Sequence, residues 1–173
     1  MRAAARILCV LTLGLLSGCS IGVSGGLILT DADQRQAIGR YQEALKKEPG
    51  DWMLHRRLGL AHFDLKEYAL AEASLQEVQR LSPGEPVSLF YLGLSRIGKG
   101  EREAGLDLLS TYRWPGKFYH QKFVQEEAAR LRKHPEEPAQ EVIRDLLDAL
   151  EAGKREQRDT DRDRLGGMRA WQD

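Results

Sequence analysis

The sequence predicts an all-α fold, a short solenoid of antiparallel helix pairs closed by a C-terminal capping helix. Residue types recur at a spacing of 34 along the middle of the chain, which is the signature of stacked helical units. Apolar residues between those recurrences fall at helical rather than alternating spacing. Charged residues make up 30% of the chain and β-branched runs are few, so the composition favours amphipathic helices over a sheet.

The period appears in four columns. Leu58-Gly59 returns as Leu92-Gly93, and Pro49-Gly50 as Pro83-Gly84. Ala37, Ala71 and Gly105 form a series of small residues, and Tyr41, Leu75 and Leu109 a series of large ones. Small side chains let two helices cross closely, as at Gly59, Ala71, Gly93 and Gly105. Large apolar partners, Leu58, Leu75, Leu92 and Leu109, fill the volume beside each crossing. The expected helices run over about 31–48, 51–64, 67–81, 86–98 and 101–112. Asp51 suits the N-cap of the second, and Glu85 followed by Pro86 the start of the fourth.

Two more helices follow. Phe123, Val124, Ala128 and Leu131 mark one over about 118–133, and Val142, Ile143, Leu146, Leu147 and Leu150 stripe another over about 138–152. The second stripe is expected to cover the apolar end of the array. Residues 153–173 follow as a tail charged with both signs, expected to be a frayed helix or disordered.

These columns resemble the tetratricopeptide repeat, whose pattern is W-x₂-L-G-x₂-Y, then A-x₃-F, then P. In the central copy His55 stands for Trp, Leu58-Gly59 match, His62 replaces Tyr, Ala71 matches, Leu75 replaces Phe and Pro83 matches. The next copy reads Leu89, Leu92-Gly93, Arg96, Gly105 and Leu109, with its closing proline moved to Pro115. A half repeat, Ala37, Tyr41, Ala44 and Pro49, precedes both, so the resemblance covers residues 31–116, with 117–152 as the closing helical pair. It implies a concave groove lined by the first helix of each unit: Met53, Arg56, Leu60 and Phe63, then Val87, Phe90, Leu94 and Ile97. Leu60 and Leu94 stand where a carboxylate-gripping groove of this family has Asn. The groove is therefore expected either to take an apolar or amphipathic protein segment or to be filled by the 118–133 helix.

The N-terminus sets the expected compartment. Arg2 and Arg6 precede an apolar run from Ile7 to Leu16, too short to span a bilayer, which needs about 20 residues. Leu16-Ser17-Gly18-Cys19 resembles the lipobox of bacterial lipoproteins. The resemblance implies that residues 1–18 are removed and Cys19 is acylated, and a residue other than Asp after it, here Ser20, favours the outer membrane facing the periplasm. Each buried CH₂ contributes on the order of 0.8 kcal/mol, so two or three chains hold firmly where one does not. Cys9 goes with the leader and Cys19 is consumed by lipid, which leaves no thiol for a disulfide or a nucleophile. Residues 19–30 form a membrane-proximal tether, of which Ser20–Leu29 is Gly-rich and apolar, with an extended reach of about 33 Å at roughly 3.3 Å per residue.

No catalytic centre, metal site or cofactor is expected. His55 and His62 lie seven apart, too far for a helical metal pair, and both sit in repeat columns where packing is the expected role. Gly98-Lys99-Gly100-Glu101 lacks the ending of a phosphate loop and reads as a turn. With 26 basic and 26 acidic residues, and two of the basic ones in the leader, nucleic acid is excluded as a partner. Trp52 and Trp114 are expected at helix ends; Trp171, in a polar tail, is either a docking segment or idle. The functional expectation is a non-enzymatic, lipid-anchored scaffold that binds a protein partner in the cell envelope during assembly or export. The alternative is a regulator that positions a peptidoglycan or polysaccharide enzyme.

Overall fold

The computed structural model describes residues 30–169, with side chains through residue 164. Among these, seven helices follow one another: α1 (Asp31–Lys47), α2 (Trp52–Asp64), α3 (Tyr68–Leu81), α4 (Pro86–Gly98), α5 (Arg102–Ser110), α6 (Phe118–Leu131) and α7 (Ala139–Arg169). Each packs on the next from α1 through α7, and α7 also reaches back to α4. The fold is an all-α, tetratricopeptide-type helical solenoid. Leu16-Ser17-Gly18-Cys19 and Trp171 lie outside the described residues.

The 34-residue period is a repeated geometry. A Cβ built on Gly59 would lie 2.8 Å from Leu75 Cγ, and one on Gly93 2.7 Å from Leu109 Cγ. Each large residue of one column thus sits against the small residue of another, once per repeat. The turns repeat as well. Glu67 N–H donates to His62 O at 2.9 Å and Lys66 N–H to Phe63 O at 2.8 Å; one period later Glu101 donates to Arg96 at 2.9 Å and Gly100 to Ile97 at 3.0 Å. These bonds close a helix through a left-handed residue. Gly100 takes that position at φ 92°, and Lys66 takes it at φ 59°. Asp51 accepts from Met53 N at 2.8 Å, and Glu85 accepts from Ser88 N at 2.6 Å beside Pro86, so both expected N-caps are formed.

Polar ties lock successive helices. Glu72, buried on α3, accepts from Arg96 Nε at 3.1 Å and also pairs with Lys99. Burial pushes its carboxyl up, but the hydrogen bonds from Lys99 and Arg96 outweigh that and hold it below the ordinary carboxylate value. A depressed folded-state pKa contributes stability above the unfolded value of 4.5 and loses it as pH falls through the folded one. Glu72→Gln should therefore lower the thermal midpoint at about pH 7, and the gap from wild type should be narrower at about pH 3. A gap equal at both pH values would contradict the ion pair. Arg102, at the start of α5, donates at 2.8 Å to the carbonyls of Leu131, His134 and Glu137, which fastens the end of α6 and the turn into α7.

The last element departs from expectation: the helix expected over 138–152 continues through Gly153, and α7 runs on to Arg169. A Cβ on Gly153 would lie 2.5 Å from the Tyr119 carbonyl oxygen, so this glycine lets α7 cross the start of α6 at backbone contact. One turn further, Gln157 is buried. The charged stretch expected to fray is helical because its first turns are anchored on α6.

Candidate functional site

The inner face of α2 and α4 is where the repeat geometry places a binding groove, and its eight positions divide sharply. On α4, Phe90, Leu94 and Ile97 are 0% exposed, and on α2 Phe63 is buried with them. They share one core with Val142, Ile143, Leu146 and Leu150 of α7. The helix that fills this part of the groove is α7, which is neither of the two expected occupants, a segment of another protein or the 118–133 helix. The α6–α7 hairpin is turned so that α7 packs along both α6 and α4, and its apolar stripe covers an inner face as well as an end of the array. Tyr68 of α3 and Gln140 of α7 hydrogen-bond at 3.1 Å, which fixes where α7 begins its crossing.

The rest of the groove stays accessible. Met53 is 46% exposed, and Arg56, Leu60 and Val87 are half-buried. Arg56 is held in place: its Nη1 donates to Glu85 Oε1 at 3.0 Å and its guanidinium lies 5.2 Å from the Trp52 ring. Glu85 thereby caps α4 with one oxygen and binds α2 with the other. Leu60 borders a small hollow of about 180 Å³ with Tyr41, Arg57 and Asp64. Burial raises the Asp64 carboxyl, against a hydrogen bond from Gln34 that lowers it. The open half is thus a narrow, mixed strip along α2.

His62 and His55 make polar contacts near turns, whereas His120 packs in the core. His62 is buried with Nδ1 2.6 Å from Glu67 Oε2, and Glu67 also meets Arg35 at 3.2 Å, so the position joins α2 to α1 and to the following turn. His55 Nε2 lies 2.9 Å from the Pro49 carbonyl. His120 is buried against Trp114, ring centroids 4.7 Å apart. Burial, with Lys117 and Lys154 nearby, keeps its imidazole pKa below the ordinary value. Its Nδ1 and the Tyr112 hydroxyl have no hydrogen-bond partner in the core. Burial also raises the Tyr112 phenol, with Glu85 adding to the shift. Among the described residues no group of three His, Cys, Asp or Glu is placed to hold a metal ion.

Two features had no sequence signal. Glu72 and Arg102 look like ordinary surface charges until their partners, 24 to 35 residues away, are brought to them. A run of ring contacts also joins Tyr68, Phe63, Tyr91, Phe90, Tyr112 and Trp114 across the core, with centroids 5.0–6.4 Å apart. Offset and edge contacts of this kind contribute about 0.5–1.5 kcal/mol each beyond burial.

No curated protein and no solved structure matches the chain at a significant level. Residues 32–86 match the model of the tetratricopeptide repeat, a module associated with protein–protein interaction rather than catalysis. The match spans α1 to the start of α4, about a third of the chain, and the same contacts continue one period beyond it at Gly93 and Leu109, so the fold is a helical solenoid of the tetratricopeptide type.

Proposed function

We propose that the chain is a lipid-anchored, non-catalytic scaffold of the bacterial cell envelope that holds a protein partner near the membrane during assembly or export. The observation that carries the reading is a protein-binding repeat joined to a lipobox-like Leu16-Ser17-Gly18-Cys19 at the end of a short apolar leader. No helix among the described residues is long and apolar enough to cross a membrane. In this reading the attachment is made by acyl chains on Cys19, most simply at the outer membrane. The partner lies along the accessible strip of α2, with Met53 and Leu60 as its apolar contacts and Arg56 as its polar one.

Cys19→Ala should abolish labelling by radioactive palmitate and release the protein from membranes, while the helical content stays unchanged. Retained labelling would remove the anchor from this reading. Crosslinking in intact membranes followed by co-purification should recover assembly or export components with the wild-type chain and lose them with Met53→Glu. Recovery of a cell-wall hydrolase or synthase instead would make this a regulator of that enzyme.

A further inference from the structure

We propose that His120 is a proton-sensitive latch: in its neutral form it docks the charged extension of α7 onto the start of α6, and its protonation in mildly acidic surroundings releases that extension. The latch is a property of the fold and is independent of the partner that the α2 strip takes.

His120 sits at the centre of the contact. A Cβ on Gly153, where α7 crosses α6, would lie 2.5 Å from the Tyr119 carbonyl oxygen and 3.0 Å from His120 Cα. The imidazole is 7% exposed and meets the Trp114 ring edge to face at 4.7 Å, and Trp114 in turn packs on Tyr112 at 6.4 Å. Beyond this crossing the dock is loose. Gln157 is buried, but its Oε1 accepts from Tyr119 N–H only at 3.5 Å. Thr160 and Arg164 border an open hollow of about 460 Å³ with Trp114, Phe118 and Tyr119. Among the described residues the ion pairs of the extension, Lys154 with Glu151 and Arg162 with Asp159, stay within α7.

This seat suits only the uncharged ring. Its Nδ1 is buried and finds no hydrogen-bond partner among the described residues. A neutral imidazole can leave that nitrogen as a bare lone pair, whereas an imidazolium carries a proton on both nitrogens and would bury an N–H with no acceptor. His120 is also the third residue of α6, at the positive end of the helix. Lys117 before α6, with Lys154 and Arg158 on α7, adds three cations against the carboxylate of Glu151. Tyr112, on the connection from α5, is a phenol whose pKa burial raises, so it brings no charge. Burial first, and then these cations, hold the imidazole below its ordinary 6.5. The released extension therefore takes the proton more readily than the docked one. Docking is at full strength above 6.5 and weakens as pH falls below it towards the docked value, by at most about tenfold per pH unit for one proton.

Hydrogen exchange of the full chain at about pH 7.5 and about pH 5.5, read as protection factors so that the intrinsic pH dependence of exchange cancels, tests the latch. Amides from Lys154 to Asp161 should lose protection several-fold at the lower pH, up to about tenfold, while those from Val142 to Leu150 keep theirs. His120→Phe keeps a ring against Trp114 and takes no proton, so its protection should be the same at both pH values. An equal loss in this variant would overturn the proposal by giving the response to other groups, and so would a wild-type chain with no loss. Loss spread through Val142–Leu150 and α1 would overturn it as well, because it would mean global unfolding. Should His120→Phe not fold, the NMR titration of the wild-type imidazole decides: a midpoint below 6.5 supports the latch, and one at or above 6.5 contradicts it.

Discussion

Phe90→Glu is expected to leave the domain unfolded, while Leu60→Glu on the same nominal groove leaves it folded. Phe90 is fully buried among α7 side chains and touches Tyr91 and Tyr112. A carboxylate there has no cation to pair with in that core, and removing the ring forfeits about 3–5 kcal/mol before any charge is buried. A domain whose whole stability is on the order of 5–15 kcal/mol does not absorb both losses. Leu60 borders a solvent-reached hollow, so a glutamate there keeps its hydration. Far-UV circular dichroism and urea denaturation of the two variants distinguish the outcomes. Two equally folded variants would mean that α7 does not cover α4, and two unfolded ones that the α2 strip is closed as well.

Gly105→Val should be the other severe substitution. A Cβ at Gly105 would fall 2.5 Å from the Gly93 carbonyl oxygen and 2.5 Å from Ile97 Cγ1. The first of these is backbone and cannot rotate away, so α4 and α5 must separate. Overpacking of this kind costs about 1–3 kcal/mol or more, and here it also opens the fully buried layer of Leu94, Ile97 and Leu109. Gly39→Val is the control, since a Cβ there meets nothing within 4 Å. In urea, the midpoint of Gly105→Val should fall sharply while that of Gly39→Val changes little. Equal shifts would show that the small-residue column does not set the helix spacing.

Why some features were legible before folding follows from the range of the forces involved. The pairings of Gly59 with Leu75 and Gly93 with Leu109 recur with the chain, so one period in the sequence announces both. Caps such as Asp51 and Glu85 act within three residues and are readable locally. The direction of the α6–α7 hairpin is set instead by Arg102 holding three carbonyls, by Gly153 meeting Tyr119 and by Tyr68 meeting Gln140, all contacts at long separation. No local pattern encodes them. The apolar stripe of Val142, Leu146 and Leu150 was visible, but the face it covers was not. The role of Gly153 is hidden for the same reason: its crossing of Tyr119 is set by a partner far away in the chain.

Native-state hydrogen exchange on α4 and α7 bears most directly on whether the inner face of the solenoid is filled by its own last helix. Amides from Leu94 to Gly98 and from Val142 to Leu150 should open together, with the free energy of global unfolding. Rapid exchange through Val142–Leu150 while α4 stays protected would instead show α7 detached and the inner face of α4 open.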